Sequence, residues 1–178
     1  NPSLMIEDTF LESAIQQFRE YKTLADKTFH QLQENDFYYR PNETSNSLAI
    51  IIQHMHGNML SRWTNFLTED GEKEWRRRDA EFEEQRLTKQ GLLKLWEEGW
   101  AVLFNALTQL RIEDLDETIY IRTKPLSVVQ AIQRQLTHYA SHVGQIIFIG
   151  KMILGADWKF LSIAKGESKG FNENMGHG

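Results

Sequence analysis

His138 and His142 stand four residues apart in the stretch L-S-V-V-Q-A-I-Q-R-Q-L-T-H-Y-A-S-H-V-G-Q-I-I-F-I-G-K-M-I-L, residues 126–154. At about 100° per residue they project from one face of a helix, on the flank of its apolar stripe. Two imidazoles at this spacing are how a helix offers two ligands to one metal ion. Alone the pair is a weak motif, because solvated or core-satisfied histidines share the spacing. The chain has no Cys, which removes disulfides, a cysteine nucleophile and thiolate metal sites together. A transition-metal site must therefore draw on His, Asp or Glu. His54 and His56 lie about 200° apart on one helix and cannot both face one site. His56 is nearer the apolar arc and His54 is on its edge, so periodicity does not choose between them. His30 reads as an exposed helix-end histidine.

Other side chains offer binding chemistry. Arg76, Arg77 and Arg78 follow one another among acidic residues. A solvated, self-compensating connection explains that run. A guanidinium fork also suits an anionic substrate group, and Arg77 and Arg78 are the candidates for that role, with Tyr139 as a third substrate-contacting residue. Asn58, Tyr139 and Gln145 can hydrogen-bond ligands or simply supply the polarity of a bundle. Glu97 and Glu98 read as exposed carboxylates. No Ser-His-Asp order and no glycine-rich phosphate loop occurs, and Gly166 to Gly170 follows no strand.

Four helices must position these groups. Apolar residues at 3–4 spacing predict helices over 4–34 (Phe10, Ala14, Phe18, Leu24, Ala25), 47–67 (Leu48, Ile52, Met55, Met59, Trp63) and 88–110 (Leu92, Trp96, Gly99, Leu103, Leu107). The fourth runs over 126–154, with Ser127 as N-cap and Gly155 as stop. Asn46 or Ser45 is the expected cap of the second helix. Residues 68–88 form a charged connection in which Trp75 and Phe82 are expected to pack on the bundle. Thr118–Ile121 has β character but predicts no more than an extended connector. A tail over 156–178 combines glycine with Trp158, Phe160, Leu161, Ile163 and Phe171, and is expected to lie against the bundle.

Composition narrows the function classes. With 178 residues, 40% hydrophobic and 25% charged, the chain suits one globular domain over 1–178. A net charge of −5 with dispersed cations argues against a nucleic-acid partner. No apolar run is long enough for a membrane span, and no secretory signal is visible, so the cytoplasm is the expected location. Four helices without real strands predict an all-α, antiparallel four-helix bundle with a long connection between the second and third helices. One histidine from the second helix with His138 and His142 would give three neutral ligands and an open fourth position.

The run L-T-H-Y-A-S-H-V-G-Q-I, residues 136–146, resembles the last-helix signature of the DinB/YfiT-like superfamily. Ile52-Gln53-His54-Met55 after Ser47-Leu48 resembles its second-helix histidine motif. Arg111–Leu115 and Lys124–Ser127 resemble the connector into its final helix. The segments W-R-R-R-D-A-E-F and L-S-I-A-K-G resemble its DUF1572 branch. The resemblance implies a four-helix bundle that binds a divalent transition metal through His54, His138 and His142, with zinc or nickel ahead of iron or manganese. Ser141 stands where many relatives carry a further histidine. Similar members include metal-dependent transferases of low-molecular-weight thiols of the bacillithiol or mycothiol type, and a maleylpyruvate isomerase that uses a thiol cofactor. The expected activity is therefore transfer of such a thiol to an electrophile in detoxification or stress response, with a non-catalytic metal- or ligand-binding bundle as the alternative. The expected partners are a small-molecule substrate and a second copy of the chain, since similar members often pair and five Trp with ten Phe are a large aromatic load.

Overall fold

A computed structural model describes residues 2–162, with side chains from Ile6 onward. Four long helices dominate: α1 Pro2–Phe29, α2 Leu48–Trp63, α3 Lys89–Gln109 and α4 Val128–Leu154. Three begin at hydroxyl caps, where the side chain accepts a backbone N–H three residues on: Ser47 from Ile50, Thr88 from Gly91 and Ser127 from Gln130. Ser47, rather than Asn46 or Ser45, caps α2. Ser127 and Gln130 form a full capping box. α4 stops at Gly155, whose φ of 52° leaves the helical region.

α1 packs along α4, and α2 packs along α3. Phe18 meets Tyr139, and ten residues on Thr28 lies against Gly150, so α1 and α4 run in one direction. His56 meets Glu98, and further down Trp63 shares a cavity with Val102 and Ala106, so α2 and α3 also share a direction. Between the pairs the order reverses. Arg19 lies over Phe104 while Asp26 accepts from Trp96, and His54 faces His142 while Asn58 faces Gln135. Two parallel pairs thus stand antiparallel to one another, in place of simple alternation. The physical reason is the connection after α2: it travels back up the bundle, and α3 begins beside the end of α1, where Lys89 donates to the Leu32 carbonyl. Phe18, Trp63, Trp100 and Tyr139 meet edge-on or tilted in the core.

The connectors hold two departures from expectation. Thr118–Ile121 is a real strand, β1, paired antiparallel with β2, Lys124–Ser127. Arg122 and Thr123 turn the hairpin with φ of 54° and 62°. Neither is Gly or Asn, so the usual turn signal is missing from the sequence. The Asp70 carboxylate compensates by accepting the N–H groups of Arg122 and Thr123, and the N–H of Gly71 donates to the Tyr120 carbonyl. The hairpin and the α2–α3 connection are thereby one unit. Trp75, expected to pack, is instead exposed, while Phe82 packs on His54 with ring centroids 4.9 Å apart. After α4, Lys159 exchanges hydrogen bonds with the Gln31 side chain, holding the start of the tail to α1. Ile163, Phe171 and the Gly166–Gly170 cluster lie outside the described residues.

Candidate metal centre

α2 and α4 cross so that His54, His138 and His142 each present one ring nitrogen to a common point, all within 4.8 Å of one another. The Nε2 of His138 is 3.0 Å from that of His142 and 3.4 Å from that of His54. Nitrogens held at about 2.0–2.1 Å by one tetrahedral ion would stand roughly 3.4 Å apart. The other nitrogens of two rings are already committed. His54 Nδ1 lies 2.9 Å from a Glu81 carboxylate oxygen, and His142 Nδ1 lies 2.9 Å from Gln145 Oε1. Both acceptors require an Nδ1–H donor, which leaves the Nε2 lone pairs of His54 and His142 directed at the shared point. A single proton on His138 could satisfy only one of them. A cation satisfies all three.

The local electrostatics favour the neutral form of His138 and His142. Burial, then neighbouring His142 and His54 and the guanidiniums of Arg62 and Arg76, pull His138 down to about 3. Burial also pulls His142 below its ordinary value, against the opposing hydrogen bond to Gln145. Neutral imidazole is the form that binds a metal. Burial alone would raise the Glu81 carboxyl. The hydrogen bonds from His54 and from Arg76 outweigh it and hold Glu81 ionised. Arg76 grips Glu81 with two bonds, Nε to Oε1 at 2.7 Å and Nη2 to Oε2 at 2.9 Å. Carboxylate, imidazole and a ligand nitrogen in series orient the ring and raise its basicity.

Glu81 reaches His54 across the bare face of Gly57. A Cβ there would run into Glu81 Oε1. Below the triad lies a buried polar floor. Tyr139 donates to Asn58 Oδ1 and accepts from Trp63 Nε1 and Gln135 Nε2. Burial pushes the Tyr139 hydroxyl up to about 12. Beside His54 and His138 opens a cavity of about 270 Å³ lined also by Asn58, Gln135 and the guanidinium residues Arg62, Arg76, Arg78, Arg122 and Arg134.

The candidate residues therefore separate. His54, His138 and His142 come together, whereas His56 faces Glu98 on α3 at 3.1 Å. Arg78 lines the cavity and Arg77, which is exposed, is absent from its lining. Tyr139 is fully buried in the floor rather than open to the cavity. Glu97 pairs with Lys22 away from the triad, and His30 is exposed. Gly57, Arg62, Arg122 and Arg134 join the site without belonging to any motif that points to it, and Arg76 and Glu81 join it from the W-R-R-R-D-A-E-F segment. Arg76 and Glu81 sit five apart in a charged run, which is the one local signal that could pair them.

The family described as "Protein of unknown function (DUF1572)" matches residues 5–167. No curated protein and no solved structure matches the chain.

Proposed function

The chain belongs to the DUF1572 family, and on that premise we propose that it is a divalent-metal-dependent enzyme of the DinB/YfiT-like superfamily that transfers a low-molecular-weight thiol to an electrophile. The observation that carries the reading is the convergence of three imidazole nitrogens beside an open cationic cavity, in a chain without cysteine. Bound there, a divalent ion lowers the pKa of a thiol and makes thiolate available at neutral pH. His54, His138 and His142 would hold the ion through Nε2. Glu81 and Gln145 keep protons on the opposite nitrogens of His54 and His142. Phe82 covers one face of His54 and keeps water from it. The lining has no carboxylate, hydroxyl or amine to act as nucleophile, and in this reading the attacking group arrives with the co-substrate.

Zinc or nickel is the expected metal, with iron or manganese next. The test is metal content of protein purified without a metal-affinity tag, followed by thiol consumption with a model electrophile before and after chelation. About one ion per chain and chelator-sensitive thiol loss support the reading. Stoichiometric metal without thiol consumption would point to the alternative, a metal- or ligand-binding bundle, which the same lack of nucleophiles also fits. The reading includes the cytoplasm and a homodimer; sedimentation at the 20.9 kDa of one chain would remove the dimer. Among the described residues no helix is long and apolar enough to cross a membrane.

A further inference from the structure

We propose that the cavity beside the histidines is an anion subsite, in which Arg78 and Arg134 bind a compact oxyanion (a carboxylate or a phosphate) carried by the molecule that reaches the metal centre. The inference deepens the function proposed above, since it names the class of molecule admitted to that site.

Five guanidinium side chains line one small cavity in a chain whose net charge is −5. Three of them are already engaged. Arg62, Arg76 and Arg122 share Glu72, and Arg76 also binds Glu81. Two carboxylates thus hold three of the five cations. The two guanidiniums left without an acidic partner are Arg78 and Arg134. Neither side chain forms an ion pair or a hydrogen bond among the described residues; Arg78 only lies over the ring of Phe82 at 5.3 Å. Arg134 is on α4, one turn before His138, and Arg78 is on the connection that carries Glu81. The two approach the cavity from different elements, as a clamp on a bound group would require.

Like charges concentrated in a cleft are unfavourable unless something offsets them, and the cleft focuses their field on any anion that enters. A guanidinium fork matches carboxylate or phosphate oxygens two at a time. The volume, about 270 Å³, is below the range of sites that enclose a whole drug-sized ligand. It suits one charged group, with the remainder of the molecule directed to the triad or to solvent. Asn58 and Gln135 on the floor bond one another, and the two guanidiniums add donors that no acidic side chain engages.

The test uses the full chain in metal-free and zinc-loaded forms, titrated calorimetrically with inorganic phosphate and with succinate at low and raised NaCl. Wild-type protein is expected to bind at least one of these with or without zinc, more weakly as salt rises. The double variant R78A/R134A is expected to lose about tenfold or more in affinity, the scale of charged hydrogen bonds, while zinc affinity changes less than about threefold. Binding of phosphate alone assigns the subsite to a phosphorylated molecule, and binding of succinate alone to a carboxylated one. Anion binding that persists in a chain shown not to bind metal would support the subsite while ending the metal-dependent reading. No binding of either anion overturns the proposal, as does binding that needs zinc and is unchanged in the double variant. Circular dichroism of R78A/R134A checks the fold, and because both side chains are exposed, R78K/R134K serves as a second, charge-retaining variant with intermediate affinity.

Discussion

The Glu81 carboxylate lies 2.9 Å from His54 Nδ1 although 27 residues separate them. One comes from the charged connection and the other from the centre of α2. This contact sets which nitrogen of His54 is free for a metal. Glu81→Gln keeps an acceptor but removes the charge and one side of the Arg76 grip. The expected result is a 10–100-fold loss of metal affinity, roughly the usual cost of removing such a partner, with little change in helix content. Competition titration against a chelating dye measures it, and unchanged affinity would show that the tautomer is set by another group.

Gly57→Ala separates two effects of opposite sign. In an exposed helix interior the change should stabilise by about 1 kcal/mol. Here the new methyl carbon would meet Glu81 Oε1, so Glu81 must withdraw from His54. The expected outcome is weaker metal binding, whatever happens to the melting temperature. Gly57→Ala with wild-type metal affinity would mean that Glu81 can shift without cost.

His54→Ala is expected to abolish stoichiometric metal binding, and His56→Ala to leave it nearly intact. The first removes one of three ligands and opens the site to water. The second breaks only a contact with Glu98 on α3. Equal metal loss in both variants would sink the assignment of the triad.

Tyr139→Phe tests the floor. The hydroxyl is the hub for Asn58, Gln135 and Trp63, so its loss leaves the buried Trp63 N–H without its partner. A destabilisation of about 1–3 kcal/mol is expected, read as a lower denaturation midpoint. Metal stoichiometry should be retained, because the hydroxyl lies in the floor and is not among the converging ligand atoms. Loss of metal with unchanged stability would give Tyr139 a place at the site itself.

Acid should weaken the metal-free fold through His138. Its ordinary value is 6.5 and the folded value about 3. Between those limits the unfolded chain takes up a proton that the folded chain does not. Stability is therefore full above about pH 6.5 and falls as the pH drops towards 3. Chemical denaturation of metal-free protein from about pH 7.5 to about pH 5 covers a range above most carboxylate titration. His138→Gln should flatten the slope there; a slope equal to wild type would place the proton elsewhere.

The amino-acid sequence by itself determined the local features of this protein. Helical spacing located all four long helices, because an amphipathic helix must show its buried face every three to four residues. Ser127 and Gly155 marked ends because capping is a local event of a few atoms. The i, i+4 geometry placed His138 and His142 together for the same reason. The absence of Cys restricted metal ligands to His, Asp and Glu. Apart from that compositional limit, each of these conclusions depends on residues close together along the chain.

What only the tertiary structure decided were relations between distant segments. Helix periodicity left His54 and His56 open, and the choice came from which edge of α2 faces α4. The direction of α3 depended on how far the α2–α3 connection travels, which composition does not encode. Trp75 and Phe82 look alike as aromatics in one charged run, yet Trp75 is exposed and Phe82 packs on His54. The hairpin has no local signature because Asp70, remote in sequence, holds the Arg122–Thr123 turn in place of a glycine. Arg134 reads as ordinary helix surface until α2, α4 and the connection bring it to one cavity with Arg78. Electrostatic fields and hydrogen-bond partners are set by proximity in space, so their effects on His138, Glu81 and Tyr139 belong to the fold and not to any local run of residues.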